Sequence, residues 1–568
     1  MVLLVCISIG DYNMKNGNAS FTIDEIRWER IFLNIYIKAS GCGNAEPLFY
    51  LKQKDGTQKI LIEHSEESGR CRLCINIACV KNRSFLENGR WILEAVIAGE
   101  LSERKEYVCK ISSDTAYRLD DLSRIFKYAE NQMAYNISFG VTSPDERILD
   151  FYIDSYFLQE NKKWRRRRYV KEVRRTRDKV KRFFMYASII LIRLYYHILY
   201  AVTPKKGNRV MLMSETKDVL WGNLKYIDDR IRQRHLDEKF RMTYSYRSAA
   251  GKHQSAKDIT SWIKVVTKIA RQDFIFVDDY APVFGFFKLG KRTKLIQVWH
   301  AGEGFKSVGY SRFGKDGSPF PKGSCHKQYT HVITGSEHLV DVFREVFAIE
   351  KEAFYPVGMP RLDGFLDKNT IAAFKEGFYE KYPSFKNKKI ILFAPTYRGA
   401  EQKIAYYDYH KLDLKRIYGF CRENGYVFLI KMHPFVKKFI SIPEEYAGVV
   451  HEFSGYPNIN DLYYVTDILI TDYSSNYFEY ALMEKPVLFY TYDREVYELT
   501  RGVHRSIREN APGKVCDTFD ELMQALETGD FEIEKIRMFV KDNFGEYQGN
   551  AADRVIDEIL LEGGAANE

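Results

Sequence analysis

The chain has 568 residues, 45% hydrophobic and 29% charged, with a formal net charge of +10. That length accommodates roughly three to four domains with real cores. An aromatic fraction of 15% excludes a disordered chain, and a mean hydropathy of −0.37 excludes a multi-span membrane protein.

Nine cysteines, odd in number and scattered, read as thiols in a reducing compartment rather than as a disulfide frame. Residues 1–9 are apolar but lack the basic lead-in and cleavage site of a secretory signal, so a cytoplasmic protein is expected. The charge is concentrated. Between residues 162 and 182 stand thirteen cations, among them Arg165, Arg166, Arg167, Arg168, Arg175 and Arg182, against two anions. This segment carries the whole imbalance, and the remainder is close to neutral.

Residues 1–158 read as a β-rich accessory domain. Stretches at 32–38, 59–63, 71–80 and 91–97 alternate or run apolar, separated by turn signals such as Lys54-Asp55-Gly56 and Glu87-Asn88-Gly89. Segments 135–140 and 148–157 return to it, which predicts a small β-sandwich. Cys71-x-x-Cys74 has no second Cys or His pair at matching spacing and reads as cysteines in a strand, not a zinc site.

Residues 159–205 predict a basic amphipathic helix with no internal Gly or Pro from 162 to 202, stopped by Pro204 and Gly207. Its second half approaches membrane-spanning length. At about 100° per residue, Arg175, Lys179, Arg182, Tyr186, Arg193, His197 and Tyr200 share one stripe. A spanning helix seldom keeps cations at its centre, where each Arg costs about 2.5–3.5 kcal/mol, whereas a helix lying among headgroups keeps them. Each cation near an anionic leaflet contributes about 1 kcal/mol. An internal docking helix and a nucleic-acid contact compete with this reading. The pairing of charge with adjoining apolar length favours an anionic membrane surface and no nucleic acid.

From residue 206 the pattern changes to short apolar strands alternating with helical stretches. Strands are expected at 209–213, 274–277, 294–299 and 331–334, then at 389–394, 426–432, 468–471 and 487–490. Two such series, divided near 367–388, predict two doubly wound α/β domains, 206–370 and 371–568, facing a cleft. Ligands of such sheets bind beyond the carboxyl ends of the strands.

Four polar clusters lie at those ends. His300, followed by Gly302, Gly304 and Lys306, is a titratable base in a loop that lets backbone approach a ligand; taken alone, such a His is more often structural. Arg398 in Ala394-Pro395-Thr396-Tyr397-Arg398 suits the forked recognition of a phosphate, or is an ordinary surface Arg. Pro434 holds His433 in an extended conformation at a strand tip. The string from Asp467 to Glu479 ends an apolar strand in acids and hydroxyls. There Asn476 and Glu479 read as a capping pair, and Ser474 and Ser475 as an anion site at a helix start.

Together these strings resemble the CDP-glycerol glycerophosphotransferase family of teichoic-acid polymerases and primases. The resemblance runs through Gln297-Val298-Trp299-His300-Ala301, Gly304-Phe305-Lys306, Gly309-Tyr310-Ser311, Gly358-Met359-Pro360-Arg361-Leu362-Asp363, the Thr396-Tyr397-Arg398 and Met432-His433-Pro434 strings, Asp467 to Ser475, Lys485-Pro486-Val487, Tyr492-Asp493 and Arg501-Gly502. It covers about 60% of the chain in the family's order.

The resemblance implies a GT-B-like pair of Rossmann-type domains, acceptor side first and CDP-polyol donor side second. It implies transfer of a polyol phosphate from CDP-glycerol or CDP-ribitol to a lipid-linked polyol-phosphate acceptor, with release of CMP, at the cytoplasmic face of the membrane. His300 is then the general base, with His433, Arg398, Lys306, Ser474 and Ser475 on the phosphates. Gly302, Arg361, Asp472 and Glu479 complete the expected substrate contacts. No Asp-x-Asp stands at a cleft strand end, so no essential metal or cofactor is expected, with Mg²⁺ assistance left open. A GT-B glycosyltransferase using a nucleotide sugar is the alternative. Polyol identity, primase against polymerase, and oligomeric state, a homo-oligomer included, stay undecided at this level.

Overall fold

A computed structural model describes residues 19–562 except 44, 99–103, 130–132, 143–147, 160–175, 248–258, 301, 303–306, 316–317, 320–323, 400–403, 501–502, 504 and 546. The chain forms two compact units, residues 1–162 and 163–568.

The first unit is the expected β-rich one. Its strands are β1 (Ser20–Glu29), β2 (Phe32–Ser40), β3 (Leu48–Gln53), β4 (Lys59–Ile62), β5 (His64–Glu67), β6 (Arg70–Asn76), β7 (Gly89–Ala98), β8 (Arg104–Val108), β9 (Lys110–Ser112), β10 (Arg124–Tyr128), β11 (Met133–Val141) and β12 (Ile148–Gln159). They share one sheet with the path β4-β3-β7-β12-β9-β1-β2-β6-β5, with β10 beside β11, β11 beside β12 and β8 beside β7. In β1 the pairing shifts between Ile23 and Glu25, and this irregularity keeps Phe21 and Ile23 on the same buried side as Ile26 and Trp28. Phe21 meets Phe49 of the non-adjacent β3 edge-on at 5.9 Å, so the sheet folds over on itself around an aromatic core. Cys71 and Cys74 stand on β6, in no disulfide, opposite Ile37 and Asn34 of β2.

The second unit holds two six-stranded sheets in which all neighbouring strands run parallel. The first contains β13 (Arg209–Ser214), β14 (Arg241–Tyr246), β15 (Phe274–Val277), β16 (Lys294–Gln297), β17 (His331–Ile333) and β18 (Phe354–Tyr355), in the order β14-β13-β15-β16-β17-β18. The second contains β19 (Lys389–Phe393), β20 (Tyr426–Ile430), β21 (Val450–Glu452), β22 (Ile468–Thr471), β23 (Val487–Tyr490) and β24 (Lys514–Cys516), in the order β21-β20-β19-β22-β23-β24. Strands such as Phe274–Val277 and Ile468–Thr471 are buried at every position, as crossover helices on both faces require. The direction of winding reverses between β13 and β15 in the first sheet and between β19 and β22 in the second. Those reversals are where open α/β sheets take ligands. One apolar cluster runs through both lobes, from Met211, Ile275 and Leu295 to Ile390, Leu392 and Leu469.

The segment 551–562 differs from the expectation that 371–568 forms one domain. Val555, Ile556, Ile559 and Leu560 pack among Val210, Leu212, Leu224 and Ile227, the core of the first parallel sheet. Asp553 pairs with Arg230 at 2.8 Å and with Arg234 at 3.0 Å, and Asp557 pairs with Arg234 at 2.7 Å. The carboxylate of Asp363 accepts from the backbone N–H groups of Ala551 (2.9 Å) and Ala552 (3.0 Å), capping the returning helical segment. Returning to the first lobe buries the apolar face at 555–560.

The helix Thr176–Val202 docks on the first lobe by its tyrosines. Tyr196 is fully buried, stacks on Phe287 at 4.4 Å, and its hydroxyl accepts from Gly290 N–H. The Tyr200 hydroxyl accepts from Arg292 N–H. Of the expected cationic contacts, Arg165, Arg166, Arg167, Arg168 and Arg175 lie outside the described residues, and the side chain of Arg182 does as well. Arg193 is exposed. Its Nε donates to the Phe286 carbonyl, which ties the cation to the lobe. An apolar row is left in solvent: Ile190, Leu191, Leu194, Ile198 and Val202 are each more than half exposed, with Arg193 and His197 exposed beside them. Periodicity identified the stripes but not which one the protein would cover. No helix among the described residues is long and apolar enough to cross a membrane.

Gly358 sits at φ +88°, and a Cβ there would meet the Tyr547 ring at 2.9 Å and the Ala551 Cβ at 3.0 Å. Gly358→Ala is therefore expected to destabilise the second unit by about 1–3 kcal/mol, through backbone strain and overpacking of the returning segment. Chemical denaturation checks this; an unchanged midpoint would contradict the packing.

Candidate active site

On the first lobe the site is built where β16 ends. Gln297 is fully buried; its Nε2 donates to the Asp279 carbonyl at 3.1 Å and its Oε1 accepts from Trp299 N–H at 2.8 Å. Trp299 takes φ +47°, a left-handed conformation that is costly for a bulky residue. Asn223, fully buried, holds that turn by donating Nδ2 to the carbonyls of Val298 (2.8 Å) and Trp299 (2.9 Å). The strained turn delivers His300 to the strand end with its side chain 51% exposed and Nδ1 3.5 Å from Asp279 Oδ1. Desolvation lowers the imidazole pKa and the charges of Arg361 and Lys217 reinforce that, while Asp279 and a hydrogen bond to the main chain of Asp278 oppose it. Next to it Asp278 is buried, and its carboxyl is pushed up to about 6 by that burial.

Arg361 follows β18, and its backbone N–H donates to Asn223 Oδ1 at 3.0 Å, so one asparagine couples the two loops. The guanidinium then crosses to the second lobe and pairs with Glu479; the two side chains are only 10% and 5% exposed. Both were expected to touch substrate; here each balances the other's charge in an ion pair between the lobes. Gly302 lies at the same junction, where a Cβ would fall 2.1 Å from the Phe478 ring. Its small size serves the approach of the lobes. Lys306 lies outside the described residues.

On the second lobe β19 and β22 end side by side. Arg398, expected at a phosphate, is instead committed to protein. Its Nε and Nη2 fork onto Asp493 at 2.6 and 2.9 Å, and Nη1 donates to Asp472 Oδ2 (2.8 Å) and the Thr396 carbonyl (2.7 Å). Tyr407, Tyr473, Tyr492 and Tyr497 surround the guanidinium at 5.2–5.5 Å. Two carboxylates beside it raise its pKa further, so it stays charged. Asp472 is fully buried, and its other oxygen accepts from Thr396 N–H at 2.7 Å. Both residues therefore brace the loops under the site. Asn476 does likewise: it donates to the Ala394 carbonyl (2.9 Å) and accepts from the Thr471 hydroxyl (2.8 Å), and it forms no capping pair with Glu479. Ser474 and Ser475 remain part-exposed ahead of the helix Asn476–Ala481.

His433 stands beyond the end of β20. Its Nδ1 accepts from Phe435 N–H at 3.2 Å, which leaves Nε2 to carry the proton in the neutral ring. Tyr397 and Phe435 flank the imidazole at 4.8 and 4.6 Å. Each lobe thus presents one histidine at the carboxyl end of its sheet. Asp279, Asn223 and Asp493 were not singled out as site residues by sequence. Asp278-Asp279 carried a readable signal, since an acidic pair directly follows the apolar strand at 274–277.

Because Arg398 neutralises two carboxylates, Arg398→Met is expected to cost about 3–5 kcal/mol of stability. Thermal and denaturant unfolding check this; a fully stable variant with only a raised donor KM would restore the phosphate role.

The family model described as CDP-Glycerol:Poly(glycerophosphate) glycerophosphotransferase matches residues 194–561. The teichoic acid ribitol-phosphate polymerase TarL of Staphylococcus aureus is 28% identical over 95% of this chain and 98% of its own length. The teichoic acid poly(ribitol-phosphate) polymerase of Bacillus spizizenii is 34% identical over 68% of this chain and 61% of its own. The solved structure of the wall teichoic acid polymerase TagF superposes with a TM-score of 0.53 at 18% identity, over 70% of this chain and 99% of that one, a likeness of fold. The chain belongs to the CDP-glycerol:poly(glycerophosphate) glycerophosphotransferase family, and it is a polyolphosphate transferase.

Proposed function

We propose that the chain transfers ribitol phosphate from CDP-ribitol to a terminal hydroxyl of a lipid-linked teichoic-acid-type polymer. The observation that carries the chemistry is His300, half exposed at the carboxyl end of β16 with Nδ1 turned to Asp279. Its Nε2 takes the proton of the acceptor hydroxyl, that oxygen attacks the β-phosphorus, and the bond to the α-phosphate oxygen breaks to release CMP. His433 Nε2–H, with Ser474 and Ser475, meets the charge that grows on the phosphate oxygens. Ribitol is favoured over glycerol because the end-to-end relative, whose alignment includes the β-rich unit, is a ribitol-phosphate polymerase.

His300→Ala is expected to abolish CMP release from CDP-ribitol while leaving folding intact; full activity would defeat the assignment. The neutral ring is the base and its pKa is lowered, so kcat/KM should rise with pH through a limb below about 6.5 and be flat at neutrality. Parallel assays with CDP-glycerol decide the polyol.

The helix Thr176–Val202 is proposed to lie on the anionic cytoplasmic leaflet by its exposed apolar row, with the cationic run at 162–182 preceding it. Leu194→Glu with Ile198→Glu should weaken binding to vesicles containing anionic lipid at least about tenfold. Turnover of a water-soluble acceptor should be unchanged. Undiminished cosedimentation would reject this face.

A further inference from the structure

We propose that Asp279 is the positioning residue for the base: it fixes which nitrogen of His300 meets the acceptor hydroxyl and supplies the counter-charge when that nitrogen is protonated. The inference rests on His300 being the base.

Asp279 follows β15, the strand paired in parallel with β16, so the two loops emerge side by side. Its place is over-determined. The main-chain carbonyl accepts from Gln297 Nε2 at 3.1 Å, and Oδ1 accepts from Tyr280 N–H at 2.6 Å. That same oxygen stands 3.5 Å from His300 Nδ1. A carboxylate held against Nδ1 selects the ring form that carries its proton there, and Nε2 is then left as the free base.

The charges around the ring show why a counter-ion is needed. Asp279 is the described carboxylate in ion-pair contact with His300, and the main chain of Asp278 also hydrogen-bonds to the ring, while Arg361 from the segment after β18 and Lys217 from the loop after β13 repel an imidazolium. Desolvation acts in the same sense as those cations. Proton transfer from the acceptor hydroxyl to Nε2 creates a second positive charge beside Arg361, whose own partner Glu479 is already engaged. Asp279 stabilises that imidazolium without taking part in bond making or breaking. Its side chain is 25% exposed, so the carboxylate keeps some contact with water beside the ring.

A purely structural Asp279 would serve only to accept from Tyr280 N–H, and Asp279→Asn separates the two roles because the amide oxygen keeps that bond. CMP release should be followed between about pH 5 and 9 for the wild type, Asp279→Asn, Asp279→Ala and His300→Ala, with unfolding midpoints measured alongside. The expected result for Asp279→Asn is a wild-type midpoint and an unchanged donor KM. Its kcat should fall about 10–100-fold, and the acid limb of kcat/KM should move to lower pH. An inactive His300→Ala together with an Asp279→Asn variant of wild-type kcat and unmoved limb overturns the positioning role and leaves the base assignment standing. Loss of activity in both Asp279 variants with an unmoved limb and a lowered midpoint also overturns it, since that is the behaviour of a structural residue. Full activity in His300→Ala removes the base and this proposal together.

Discussion

Arg361 follows β18 and Glu479 lies on the helix Asn476–Ala481 after β22, so they belong to different parallel sheets, and the ion pair they form has almost no water around it. Removing one partner of such a pair costs about 3–5 kcal/mol, because the other charge stays buried and uncompensated. The pair joins the lobes beside the candidate base, on the side where Gly302 meets Phe478. Arg361 is also bonded through Asn223 to the turn that presents His300. The position of the imidazole, the approach of the lobes and the electrostatic field on the ring are thereby set by one linked group of side chains.

This changes how the family's strings are understood in physical terms. In Gly358-Met359-Pro360-Arg361-Leu362-Asp363, glycine makes room for the returning chain, arginine joins the lobes and aspartate caps the returning helical segment. In Thr396-Tyr397-Arg398 the arginine welds the ends of β19 and β22 to the loop after β23 through Asp472 and Asp493. Much of what stands out as polar in these strings is engaged with other parts of the protein.

The sheets were legible because strands buried on both faces must be continuously apolar, and runs such as 274–277 and 468–471 are. Their carboxyl ends followed from that, and with them His300 and His433. The partners of a charge were not legible. Nothing local to Arg398 announces Asp493, ninety-five positions away, and nothing near Glu479 announces Arg361. For the same reason the bond from Arg193 to the Phe286 carbonyl was not legible: a helical stripe is written in the spacing, whereas the surface it meets is written elsewhere in the chain. The irregularity at Ile23 and Glu25 in β1 also escaped, since one extra residue in an alternating strand looks like a break in the pattern.

Residues 551–562 close back on the first lobe after the chain has already left it through Asp363–Leu366 and Lys368–Lys381. Two polypeptide crossings therefore connect the lobes. Bodies tethered at a single point can swivel in any direction, but bodies tethered at two can turn freely only about the line through both. Any relative movement of the lobes is thus confined to a door-like rotation about that line.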